Sequence, residues 1–251
     1  MNDDYETRIQ SLREWLKSRH ESLELKSIAT QAMDAFDDLV HDRGDHGVAL
    51  DRLAAAAGHS RMVVWDLGLS LLARLAEDSE PARDRIWELA RSRTAECRRR
   101  SVQYLTDGYP REFCVKLLGQ LLVDRSAIVR EFAAGRCCQL VIREHLPAIA
   151  SALESEKNLT TRSGMQLSYF LLRDNFFEYE NDNGYNIVLN FPEKFPAFWL
   201  WPGQVTREQV ASVGPEAFRQ RTRAELESRG VASGRPWRWS KDREEPGGAS
   251  P

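Results

Sequence analysis

Ala95-Glu-Cys-Arg98-Arg-Arg-Ser-Val102, Ala127-Ile-Val-Arg130-Glu-Phe-Ala-Ala134 and Leu159-Thr-Thr-Arg162-Ser-Gly-Met-Gln166 lie over one another without a gap, and their arginines stand 32 residues apart. A fixed internal period of this size is the signature of stacked helix pairs, in which each unit buries its apolar face against its neighbours. The second helix of each pair keeps the same count. Ile86, Leu118 and Ala150 are again 32 apart, as are Leu89, Leu121 and Leu153. Agreement of these columns in one register makes an internal repeat the reading on which the fold rests.

Working outward, the first forty residues predict two helices, because Ile9, Leu12 and Leu16, then Leu25, Ile28, Ala32, Phe36 and Leu39, recur at helical spacing. Asp42-Arg-Gly-Asp-His-Gly47 breaks the period as a loop. Val48–Ala57 predicts a short helix closed at Gly58, and Ser60 is placed to cap a strongly apolar helix that runs to Ala76. The pairs then follow as Pro81–Arg91, Thr94–Leu105 with Arg111–Val123, Ala127–Val141 with Ala148–Leu153, and Asn158–Leu172. Asp124 and Ser126 stand where a cap for the Ala127 helix is needed, and Pro81 fits a first turn.

Within this frame Asp124-Arg-Ser-Ala-Ile-Val-Arg130-Glu-Phe-Ala-Ala134, followed by His145-Leu-Pro-Ala-Ile149, resembles the core pattern of the HEAT-repeat family. The resemblance covers roughly residues 60–172. It implies a right-handed α-solenoid of helix pairs. It also implies that Arg98, Asp124, Arg130 and Arg162 form a structural ladder bonding the loops of adjacent repeats. Position 124 reads Ser92 and Glu156 in the flanking copies, and position 129 reads Cys97 and Thr161, so those copies depart from the pattern.

The last quarter leaves the helical period. Phe176–Glu180, Asn181-Asp-Asn-Gly184 and Tyr185–Phe191 predict a hairpin, with Tyr185, Ile187, Leu189 and Phe191 alternating with Asn186, Val188 and Asn190. The proline-punctuated Phe191–Pro202 is too aromatic and broken to be a helix, and it is expected to cover the open apolar end of a stack. Thr206–Ser212 and Pro215–Arg229 predict two further helices, and 231–251 a disordered tail in which Trp237 and Trp239 either dock back or engage a partner. The expected organisation is N-terminal helices over 1–58, HEAT-like repeats over 59–175, a hairpin and helical cap over 176–230, and a tail. The fold class is all-α, with that hairpin as its one departure.

Chemistry is sparse. Four cysteines fall in helical segments without metal-ligand spacing, which is a reduced, cytoplasmic pattern. No apolar run approaches the ~20 residues that span a bilayer. The loop His41, Asp42, Asp45 and His46 has the residue types for a divalent metal but two glycines that keep it soft. No phosphate-binding glycine loop or nucleophile elbow occurs, and no cofactor is implied. Net charge is −3, with twelve acids against six bases in 1–51 and sixteen bases against twelve acids in 52–150. An acidic whole with a mildly basic middle argues against a dedicated nucleic-acid binder.

In HEAT stacks the second helices line the concave face. That face is expected to carry Asp84, Trp87 and Glu88 from one repeat and Arg111, Lys116 and Gln120 from the next, with Trp87 beside the small Gly119 and Ser151 of its own column, leaving an open trough next to an aromatic anchor. The function expected is a non-catalytic module that binds another protein, an adaptor or an inhibitor of the immunity-protein type, with no membrane partner. The alternative is a DNA-binding protein similar to the HEAT-like alkylpurine DNA glycosylases, supported by Arg83, Arg85, Arg91, Arg93, Arg98, Arg99 and Arg100. A catalytic aspartate motif of that class does not match any residue here.

Overall fold

The computed structural model describes residues 2–18, 21–192 and 195–229. The expected tail with Trp237 and Trp239 lies outside the described residues, as does His20. Among the described residues there are twelve α-helices and one three-stranded antiparallel sheet. The chain divides into two compact units between Tyr169 and Phe170. No helix is long and apolar enough to cross a membrane.

The first unit is helical. It contains α1 (Asn2–Ser18), α2 (Leu23–Val40), α3 (His46–Ala57), α4 (Met62–Ala76), α5 (Glu80–Leu89), α6 (Ala95–Arg100), α7 (Arg111–Leu122), α8 (Ala127–Gln139), α9 (Leu146–Ser155) and the start of α10 (Leu159–Asp174). Local chemistry sets several of these starts. Ser22, Asp45 and Ser79 each accept an orphan amide of the first turn, and Pro81 follows Ser79 inside α5. Ser60 does not cap α4. Arg61 takes the cap position without a side-chain bond.

Packing follows a regular alternation. Neighbours pack as α2 on α3, α4 on α5 and α7 on α8, and next-but-one helices also meet: α2 with α4, α3 with α5, α6 with α8 and α7 with α9. α4 buries ten residues, Leu69 and Leu72 among them, because it meets helices on several sides. Gly68 lets α3 and α4 close up, since a Cβ there would stand 2.6 Å from the Ala57 nitrogen.

One helix is shorter than its sequence predicts. The segment expected as Thr94–Leu105 stops at Arg100, and turns follow over 101–104. The carbonyls of Gln103 and Leu105 accept from the Arg136 guanidinium of α8. A tertiary donor thus satisfies carbonyls beyond the last helical turn that no intrahelical amide reaches.

The second unit is built on β1 (Phe176–Asn181), β2 (Gly184–Phe191) and β3 (Phe195–Leu200), in the order β1-β2-β3, with α11 (Arg207–Val213) and α12 (Pro215–Ser228). Asn181 pairs with Gly184 across the turn, and Gly184 takes φ +109°, a conformation open to glycine. The aromatic segment does more than cover. It supplies a third strand, with Val188 opposite Trp199 and Leu189 opposite Phe198. Phe176, Ile187, Leu189 and Phe191 form a core with Val205, Val210 and Leu226.

The expected alternation along β2 is not an in–out pattern. Asn186, Val188 and Asn190 are buried too. Asn186 meets that burial by donating its amide to the Gly184 carbonyl at 2.7 Å. A central strand covered on both faces hides the period that a half-exposed strand displays.

Candidate functional site

Position 92/124/156 repeats one function with three residue types. Ser92 Oγ accepts the Thr94 amide at 3.3 Å, Asp124 Oδ1 the Ser126 amide at 2.8 Å, and Glu156 Oε1 the Asn158 amide at 2.9 Å. Arg98 then donates to the carbonyls of Ser92 and Arg93 and, through Nε and Nη2, to both Asp124 carboxylate oxygens at 2.7 and 2.8 Å. Arg130 repeats this one unit later, donating to the Asp124 carbonyl at 2.7 Å and to the Glu156 carboxylate. Each arginine therefore clamps the loop before its own helix to the loop that follows, 26 residues beyond it.

These pairs are withdrawn from water, with Arg98 6% exposed and the Glu156 side chain 3%. Burial opposes charge on Asp124, but the Arg98 guanidinium and the Ser126 amide hold its carboxyl below the usual range. The Asn158 amide and Arg130 do the same for Glu156. Of the four ladder positions, Arg98, Asp124 and Arg130 come together and Arg162 does not. Arg162 is exposed, and the residue 26 further on is Val188. Among the described residues its side chain has no ion pair. Glu156 belongs to the clamp although its column read as a departure from the pattern, and its acidic side chain was the available signal.

The residues expected to bind a partner fall into two groups. Asp84, Trp87 and Glu88 lie one turn apart on α5, with Asp84 and Glu88 exposed and Trp87 half-buried. Trp87 is 6.2 Å from the Phe113 ring of α7, tilted, and carries the Arg91 guanidinium 4.9 Å above it. Glu88 accepts from Arg85 at 3.0 Å, and Arg85 also meets Asp51 at 2.8 Å. Asp84 has no ion pair among the described residues. On α7, Lys116 is exposed and Gln120 half-buried, one turn apart. Arg111 is committed elsewhere, to both oxygens of Glu144 and to the Val141 carbonyl.

The space over Gly119 is filled. A Cβ there would stand 2.9 Å from the His145 ring, whose Nε2 lies 2.7 Å from the Val115 carbonyl. The open trough expected at this position is therefore absent. A cleft of about 400 Å³ opens instead at the start of α5, lined by Leu39, His46, Gly47, Leu50, Ser79, Pro81, Asp84 and Arg85. It joins apolar side chains of α2 and α3 to the acid of α5. Sequence reading found Asp84 alone of this set, because three separate helices supply the wall.

No protein family, curated protein or solved structure matches this chain.

The cysteine thiols are poor nucleophiles where they stand. All four cysteines are buried, and burial pushes the thiols of Cys114 and Cys138 up to about 11 and that of Cys137 to about 12. Their thiolates are inaccessible at neutral pH. Among the described residues no three metal-ligating side chains converge. In the loop whose residue types would suit a divalent metal, Asp45 caps α3 and His41 Nδ1 lies 2.9 Å from the Asp37 carbonyl. The arginine run is consumed as well. Arg98 serves the clamp, while Arg99 and Arg100 both bond Glu96 and lie over Phe132 and Trp65. Those two guanidinium groups hold the Glu96 carboxyl down at about 2.

Proposed function

We propose that this protein is a non-catalytic interaction module that holds one partner protein through the α5–α7 face, as an adaptor or as an inhibitor of the immunity-protein type. The observation that carries the reading is the cleft of about 400 Å³ ending at Asp84, on the same helix as the half-buried Trp87. A concave apolar pocket beside an aromatic anchor and a free carboxylate suits a protruding side chain of a partner. The alternating helix contacts support a HEAT-like right-handed stack as the scaffold for this face. Four buried free cysteines fit a reducing cytoplasm.

The DNA-binding alternative is the weaker reading, because six of the seven arginines offered for it are engaged within the unit: Arg85, Arg98, Arg99 and Arg100 with acids, Arg83 with backbone carbonyls and Arg91 over Trp87, which leaves Arg93. Arg98→Glu would break a buried clamp and says nothing about phosphate contacts. Affinity purification from the native host with wild type and with Asp84→Lys/Trp87→Ala decides the matter. The expected result is one stoichiometric protein retained by wild type and lost by the variant, and no retention of duplex DNA at low salt. A partner held equally by both proteins removes the α5–α7 face from the reading.

A further inference from the structure

Arg93, Arg125 and Lys157 stand 32 residues apart, one at each joint between successive helix pairs. All three are exposed. Each directly follows a member of the 92/124/156 column, so the clamps set them in a row. Arg98 ties the carbonyls of Ser92 and Arg93 to Asp124, and Arg130 ties the Asp124 carbonyl to Glu156. Arg125 confirms the adjacency by donating to the Arg93 carbonyl at 3.2 Å.

Among the described residues none of the three has an ion pair. The Asp124 side chain is 10% exposed and bound to Arg98, and that of Glu156 is bound to Arg130. The same joints carry bare apolar groups two residues from a cation, Val123 before Arg125 at 78% exposed and Leu159 after Lys157 at 77%. Arg61, a further period upstream, faces Glu21 at 3.9 Å and is not part of the free row.

We propose that this edge of the helical unit is a docking ridge for an acidic segment of a partner protein, with Asp or Glu side chains at intervals and apolar residues between them. The row supplies unpaired cations, and Val123 and Leu159 supply the apolar contacts. A nucleic-acid strand fits less well, since its phosphate backbone offers nothing to cover two exposed aliphatic side chains. The ridge uses none of the residues assigned to the α5–α7 face, so failure of either leaves the other standing.

The test is fluorescence anisotropy at low salt with three labelled probes. These are a synthetic peptide with Glu at every third position and Leu between, its Gln counterpart, and single-stranded oligothymidine of similar length. The Glu–Leu peptide is expected to bind full-length protein, with affinity falling about ten-fold or more in Arg93→Glu/Arg125→Glu/Lys157→Glu and several-fold in Val123→Ser/Leu159→Ser. Arg93→Lys/Arg125→Lys is expected to bind as wild type. The five side chains are exposed, so the variants should melt with wild type, and the Gln version of the triple variant serves if the Glu version does not. The idea is overturned if the Glu–Leu peptide does not bind, if it binds no better than its Gln counterpart, if the triple variant binds it unchanged, or if oligothymidine binds more tightly through the same three cations.

Discussion

Residues 92–162 and residues 176–200 keep their register by different physics. In the first stretch, buried arginines bridge consecutive loops, and the repeated quantity is an oxygen acceptor in one place. Serine, aspartate and glutamate all meet that need, so the column varies while the geometry holds. In the second stretch the register is a backbone ladder, and the side chains must match a core on each face. There a residue cannot be exchanged for another of similar chemistry, because shifting the strand by one position exchanges its faces. Val188, where the next acid of the column would fall, is fully buried in that sheet. Arg162 accordingly has no carboxylate at the corresponding place. Repeat chemistry tolerates drift in identity, and sheet packing tolerates little in shape.

This contrast is broken most forcefully at Asp124. Asp124→Ala strands the Arg98 guanidinium, 6% exposed, and is expected to destabilise the helical unit by about 3–5 kcal/mol. Urea unfolding followed by far-UV circular dichroism measures this, and a loss below about 1 kcal/mol means the clamp is ornamental. Leu189→Ala acts on the other region. Leu189 is fully buried in the sheet core, and the substitution should remove about 2–4 kcal/mol. Hydrogen exchange should then show lost protection across 176–200, with 92–162 little changed. Equal loss in both regions would show one cooperative structure in place of two.

Acid sharpens the comparison. The Asp124 and Glu156 carboxyls hold their protons more weakly folded than unfolded, so the unfolded chain binds more protons as pH falls. Their stabilisation is complete above the ordinary carboxylate range, roughly pH 4, and is lost as pH drops through the lower folded values. The melting temperature of wild type should fall below about pH 4, and Glu156→Gln, already weakened at neutral pH, should show a shallower fall there. An identical slope for both proteins would place the acid sensitivity elsewhere. The smallest effect is expected at Arg162. Arg162→Gln should leave stability within about 0.5 kcal/mol of wild type, and a larger change would reveal a partner for it.

Much of the helical order was legible in the sequence because a 32-residue period carries both the apolar faces and the arginine positions. Ser79 with Pro81, and Thr206 with Gln209, mark helix starts through chemistry contained within four residues. Legibility ended where the deciding partner lies far along the chain. The turns after α6 are bonded by Arg136, whose guanidinium reaches carbonyls about thirty residues before it. Glu156 was set aside because its column was judged by residue identity, when its carboxylate was what mattered. The candidate face was half legible. Asp84, Trp87 and Glu88 share one side of α5 by helical spacing, whereas the open trough expected over Gly119 holds His145 and the cleft beside Asp84 takes its walls from α2, α3 and α5.

The amino-acid sequence by itself determined where helices recur, which faces are apolar, which arginines repeat and where the chain changes to strands. These properties depend on spacing within a few residues or on a constant period. Only the tertiary structure decided which carboxylate meets which arginine, that both faces of β2 are covered, that the aromatic segment is a third strand, and where a cleft opens. Those outcomes depend on distances between segments dozens of residues apart, and side-chain contacts at that range leave no local pattern for a sequence to display.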